Sequence, residues 1–155
     1  MKKILLVTLT FLTLNVFSQK LTERQIENTM NEYMQFLKDE GYSPSFSETG
    51  ELDFKYEGGT YTIEEPKYSE DFAMYTGLNN NDGCTFGTLS AVNAACGGTA
   101  TSQIWLSKSC KTVFIQYTSF IESSTNFKLL FKEALRSVKF GKELIKEKYT
   151  EYNPK

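Results

Sequence analysis

Three cysteines, two adjacent pairs of carboxylates and one Ser-Lys-Ser triplet are the groups in this 155-residue chain that invite a chemical reading. Cys84, Cys96 and Cys110 lie 12 and 14 residues apart, so they form no Cys-x-x-Cys redox or zinc motif. Histidine is absent from the whole chain. That removes Ser-His-Asp and Cys-His nucleophiles, His-ligated zinc and the commonest acid-base group near neutral pH. The acidic pairs are Glu64-Glu65 and Glu70-Asp71. A glycosidase needs two carboxyls about 5 to 9 Å apart across a cleft, whereas neighbours in a strand point to opposite faces. Both pairs are therefore expected to be solvated charges. Ser107-Lys108-Ser109 falls in a polar turn, where a solvated lysine does not activate a serine. Asn79 to Gly83 offers polar oxygens without the spacing or closing Glu of a calcium loop. These readings predict no catalytic residue, no metal and no cofactor. The alternative is a small carboxylate-dependent hydrolase acting on envelope or extracellular polysaccharide.

Lys2 and Lys3 precede an apolar run from Ile4 to Phe17 that ends in Ser18-Gln19. A basic start, a short apolar stretch and a small residue before the scissile bond predict a signal peptide over 1–18, cut between Ser18 and Gln19. A spanning helix needs about 20 apolar residues, and this run is shorter and rich in threonine. The expected product is an exported domain, 19–155, periplasmic or extracellular, without stable membrane insertion. Loss of Lys2 and Lys3 takes the 17 basic residues to 15 against 19 acidic ones, a formal net charge of −4. Gln19 to Asp71 carries 13 acidic and 5 basic residues, Lys128 to Lys155 4 acidic and 8 basic. Such asymmetry suits the last helix lying near the first segment, and a weakly acidic chain is not a general nucleic-acid binder.

Around those groups the hydrophobic periodicity defines the elements. Thr22 and Gln25 form a capping box, Leu21 and Ile26 a hydrophobic staple. Ile26, Met30, Tyr33, Met34 and Leu37 then trace one helical face that stops at Gly41. Leu52, Phe54 and Tyr56, then Tyr61 and Ile63, alternate with polar residues about Gly58-Gly59. A hairpin pairing Tyr56 with Tyr61 and Phe54 with Ile63 puts all of them on one side. A third strand is expected from Phe72 to Gly77. Thr85 to Cys96 reads as a second helix with Phe86, Leu89, Val92 and Cys96 on one face and small residues elsewhere, which suggest close packing on a sheet. Gln103–Leu106 and Val113–Ile121 read as two further strands, and Ser124 onward as a long helix with a bend expected at Gly141. The order αβββαββα, with hairpins instead of crossovers, predicts one α+β domain: a mainly antiparallel sheet with helices packed on one face.

The stretch Tyr33 to Pro44, followed by Gly50 to Ile63, resembles YbjN-like proteins, a family of bacterial sensory transduction regulators. The Ala91-Val92-Asn93-Ala94 helix, the strand pair and the terminal helix follow in that family's order. The resemblance implies the fold of type III secretion chaperones and a protein-interaction or regulatory module with no catalytic residues. The chain departs from the family pattern in its exported N-terminus and in Gly97 to Trp105.

The elements also choose among the cysteines. A helix of 12 residues runs about 18 Å from Cys84 to Cys96, and the following strand returns about 25 Å to Cys110. Cys84 and Cys110 thus meet at one end as a disulfide, leaving Cys96 as a buried thiol. Trp105, Phe114, Phe120 and Phe36 fall off the main stripes and are candidates for an aromatic interaction patch. The function expected is that of an exported, non-enzymatic interaction or regulatory module of the bacterial envelope. Its partner is an unidentified protein or, through the sheet edge or terminal helix, a second copy; a purely structural envelope role is the third reading.

Overall fold

A computed structural model describes residues 20–69, 71–121 and 124–153. The expected signal peptide, its Ser18/Gln19 junction and Glu70 lie outside the described residues. The chain runs α1 (Glu23–Asp39), β1 (Ser45–Phe46), β2 (Leu52–Tyr56), β3 (Gly59–Ile63), β4 (Asp71–Asn79), α2 (Phe86–Gly97), β5 (Ser102–Leu106), β6 (Thr112–Phe120) and α3 (Ser124–Tyr152). The strands form one antiparallel sheet in the order β1-β2-β3-β4-β6-β5, with the helices packed against it. The α+β class and the αβββαββα order stand, and the two-residue β1 extends one edge.

Local chemistry starts the first two helices. Thr22 Oγ1 accepts from the Gln25 backbone N–H, and Gln25 Oε1 accepts from the Thr22 N–H at 3.0 Å, so two amides that a helix start leaves orphaned are satisfied. Thr85 caps α2 by accepting from the Thr88 N–H at 3.2 Å.

The core lies between the sheet and α1 and α3. Leu52, Phe54, Tyr61, Ile63, Phe72, Met74, Ile115 and Tyr117 form its floor. Met30, Tyr33, Phe36 and Leu37 of α1 and Phe127, Phe131, Val138 and Ile145 of α3 close it. Its centre is aromatic: Tyr33 stacks on Phe127 with ring centroids 3.8 Å apart, and Phe131 lies edge-on to Phe36 at 5.3 Å. Gly141 serves close approach of α3 to the sheet, since a Cβ there would stand 2.6 Å from Ile115 Cγ2.

Two sequence expectations are corrected. The β2–β3 turn is Glu57-Gly58, both at positive φ (45° and 74°), and Tyr56 pairs with Gly59, Phe54 with Tyr61 and Leu52 with Ile63. Two successive positive φ values are what a tight turn matching the twist of the strands demands. The partners move by two residues, so the apolar residues still share one face. The second correction concerns Cys96, expected as a buried thiol: α2 buries its small residues Thr88, Ala91 and Ala95 instead. Phe86 and Leu89 are 85% and 50% exposed, and Cys96 is an exposed thiol. Close packing is the reason. A Cβ at Gly87 would stand 2.8 Å from the Tyr152 carbonyl oxygen, and one at Gly98 2.8 Å from Leu144 Cδ2, so only small side chains fit between α2 and α3 and the large ones face outward.

Candidate functional site: the uncovered face of the sheet

Strand alternation divides the sheet between core and surroundings. Phe72, Met74 and Thr76 of β4 and Val113, Ile115 and Tyr117 of β6 point inward, so Ala73, Tyr75 and Gly77, with Phe114, Gln116, Thr118 and Phe120, point the other way. Gln103 and Trp105 of β5 continue this outer face. Of the four aromatics singled out in the sequence, Trp105 and Phe120 are exposed (37% and 78%), Phe114 is half-buried, and Phe36 belongs to the core.

The outer face carries an aromatic row. Trp105 is directly paired with Phe114 across β5 and β6 and stacks on it at 5.7 Å. Phe114 in turn meets Tyr75 edge to face at 5.9 Å. Its partner on β4 is Gly77, where a side chain would crowd Thr112 Cγ2 at 3.1 Å and Phe114 at 3.7 Å.

Toward β2 and β3 the same face turns polar and acidic. Tyr75 Oη donates to Glu51 Oε2 at 3.3 Å, Thr62 Oγ1 to Asp53 Oδ1 at 2.6 Å, and Gln116 Nε2 to Glu64 Oε1 at 2.7 Å. Beside them lies a half-open groove of about 450 Å³, whose walls include Glu64, Glu65, Lys67, Asp71, Gln116 and Phe120. Both acidic pairs noted in the sequence thus contribute to one concavity, through Glu64, Glu65 and Asp71. Glu64 is not the fully solvated charge expected of it. Its half-buried position, and then repulsion from Glu51, hold its carboxyl above the usual glutamate range, with Lys67 opposing. Burial raises the Tyr75 phenol likewise.

At the opposite end of β4 the remaining candidates form a structural lock. Cys84 and Cys110 are joined by a disulfide, Cα to Cα 5.3 Å. Asn80 Nδ2 donates to the Cys110 and Gly83 carbonyls at 2.5 and 2.9 Å. Tyr149 Oη stands 2.6 Å from both Asn80 Oδ1 and Asp82 Oδ2, sharing its proton between them, and 3.1 Å from Thr88 Oγ1. Two of the polar oxygens between Asn79 and Gly83, Asn80 Oδ1 and Asp82 Oδ2, are thus engaged in tying the loop to α3. Ser107 and Ser109 hydrogen-bond each other at 3.3 Å in the exposed β5–β6 turn. Among the described residues no three His, Cys, Asp or Glu side chains are placed to hold a metal ion, and no described helix is long and apolar enough to cross a membrane. Lys139 pairs with Glu57 at 2.7 Å, one link between the basic last helix and the acidic first half.

Sequence reasoning missed Glu51, Tyr75 and Gln116 as members of the outer face. The alternation of β4 and β6 was the signal that could have found Tyr75 and Gln116.

No family model and no curated protein matches the chain. Among solved structures, the crystal structure of YbjN from E. coli, provisionally described as a transcription regulator, is similar over 76% of this chain and 89% of that one, with a TM-score of 0.58 and 11% sequence identity. At that identity the likeness shows a YbjN-like fold. A disulfide is a feature of oxidising compartments, and here one joins α2's start to the β5–β6 turn.

Proposed function

We propose that this protein is a non-enzymatic interaction or regulatory module, exported from the cytoplasm, that engages a protein partner through the uncovered face of its sheet. The observation that carries the reading is the exposure of Trp105 and Phe120 on a face no described helix covers, with Phe120 in the wall of its acidic groove. Aromatic anchors beside polar rims are the usual composition of recognition surfaces. The YbjN-like fold and the disulfide support, respectively, a regulatory type of molecule and an oxidising location.

The test is site-specific photo-crosslinking in the native envelope, with the probe at position 105, at position 120 or at Lys132 on α3. The same partner captured from 105 and 120, and not from 132, is the expected result. Recovery of no common partner would refute it.

The second reading, a carboxylate-dependent hydrolase of envelope or extracellular polysaccharide, is favoured by one specific observation. Glu64, whose carboxyl burial holds above the usual glutamate range, shares the groove with Asp71, and a carboxyl of raised pKa in one cleft with a second carboxylate is what glycoside hydrolysis uses. Turnover of a glycan by the purified chain, lost in both Glu64→Gln and Asp71→Asn, would select it over the interaction module.

A further inference from the structure

We infer that the uncovered face of the sheet receives a cationic segment, an extended stretch of the partner that lays an arginine side chain over Tyr75, between Glu51 and Glu64. This rests on the interaction reading proposed above and adds the chemistry of the partner. Three observations lead there. Glu51, Asp53, Glu64, Glu65 and Asp71 stand on the outer face or in the wall of its groove, against Lys55 and Lys67. Among the described residues none of these five carboxylates forms an ion pair; Glu51, Asp53 and Glu64 are held instead by the neutral donors Tyr75, Thr62 and Gln116. Finally, the aromatic row runs into this acidic ground at Tyr75, whose ring meets Phe114 at 5.9 Å and whose hydroxyl meets Glu51 at 3.3 Å.

The occupant follows from charge and register. An acidic face attracts a cationic partner and repels an anionic one. Among the described residues no three carboxylates converge as a metal ion would need, so the complement is an organic cation with reach. Gln103, Gln116, Tyr75, Thr62 and Asp53 are direct neighbours across β5, β6, β4, β3 and β2 and share the outer face. Tyr75 is the centre of that row, with Glu51 on its hydroxyl and Glu64 on the amide of its neighbour Gln116. Repulsion from Glu51 helps hold the Glu64 carboxyl above the usual glutamate range, and a cation between the two cancels it. Arginine suits the place because its planar guanidinium stacks on an aromatic ring while its fork pairs with carboxylates. Phe114 and Phe120 are six residues apart on β6, about 20 Å, so the face spans about six extended residues whose alternate side chains point at it. Trp105 at one end and Phe120 at the other are contacts for apolar side chains of the same segment.

Trp105 is the only tryptophan in the chain and stacks on Phe114 beside Tyr75, so its fluorescence reports occupancy of this face. The probe is an acetylated, amidated hexapeptide of alternating valine and arginine, titrated at low ionic strength beside versions with lysine or neutral citrulline in place of arginine. The expected result is a saturable fluorescence change with a Kd of roughly 10 to 500 μM, as a surface smaller than the ~1,200 Å² of stable interfaces implies. The lysine peptide should bind more weakly and the citrulline peptide not at all. Glu51→Gln and Glu64→Gln should each weaken the arginine peptide about tenfold, the worth of one charge-assisted hydrogen bond, with the wild-type circular dichroism retained; Glu147→Gln on α3 should change nothing. No response to the arginine peptide, arginine no tighter than lysine or citrulline, or indifference to both Glu51→Gln and Glu64→Gln would each overturn the inference. Its failure is separable from that of the interaction module. A common partner captured from 105 and 120 through a segment without arginine refutes the cationic segment and leaves the module standing, whereas capture of no common partner refutes the module itself.

Discussion

Removing the disulfide by Cys84→Ala together with Cys110→Ala should cost the fold a large part of its stability. The two cysteines are separated by 26 positions. Closing a loop of that size removes about 12 cal/mol/K from the unfolded chain, about 3.5 kcal/mol at 25 °C. For a domain of this length each kcal/mol corresponds to roughly 3 °C, so Tm should fall by about 10 °C. The effect acts mainly on the unfolded state, because Asn80 holds the Cys110 and Gly83 carbonyls independently of the sulfur bridge. The native circular dichroism should therefore persist while the urea midpoint drops. Intact-mass analysis of the wild type should show one free thiol, at Cys96. A loss below about 1 kcal/mol would refute the loop-entropy reasoning, and three free thiols in the wild type would refute the pairing itself.

Gly141→Ala gains about 1 kcal/mol of helix propensity but drives a methyl to 2.6 Å from Ile115 Cγ2. Overpacking of 1 to 3 kcal/mol dominates, so urea titration should show net destabilisation, relieved in a Gly141→Ala, Ile115→Val double variant. Thr22→Ala removes the cap of α1 and should cost about 1 kcal/mol in the same assay. Glu64 binds its proton more tightly folded than unfolded, so its contribution weakens the fold as pH rises from the ordinary glutamate range through its raised value. Glu64→Gln, which preserves an acceptor for Gln116, should be the more stable protein near pH 7, with the difference vanishing below about pH 4; equal urea midpoints at both pH values would contradict the shift.

The legible parts of the fold were those in which side-chain size and period agree. The capping box at Thr22, the α1 stripe and the alternation of β2 and β3 each declare a face by large apolar residues, and each face is the buried one. α2 obeys the opposite rule. Its inner residues are selected for smallness, and Thr88, Ala91 and Ala95 have little apolar bulk to outweigh Phe86 and Leu89 in a periodicity count. The hairpin register slipped because a glutamate at positive φ is uncommon, which made Gly58-Gly59 the natural loop in place of Glu57-Gly58. The groove was half visible. Its acidic residues stand out in sequence, but Gln116 reaches Glu64 across 52 positions and Tyr75 reaches Glu51 across 24, and local pattern is silent about such pairs.

Tyr149 sits in the closing turns of α3, yet its hydroxyl fastens a loop that is complete by residue 84. Sequence separations of 67 and 69 make this a late event in a chain that emerges from its N-terminal end. β4, α2 and the β5–β6 hairpin can all be made before the tyrosine that latches them exists. The order of synthesis thus leaves the molecule open until nearly all its described length has emerged, and a truncation just ahead of Tyr149 should leave the Asn80 loop unfastened while sparing the aromatic centre around Phe127 and Phe131.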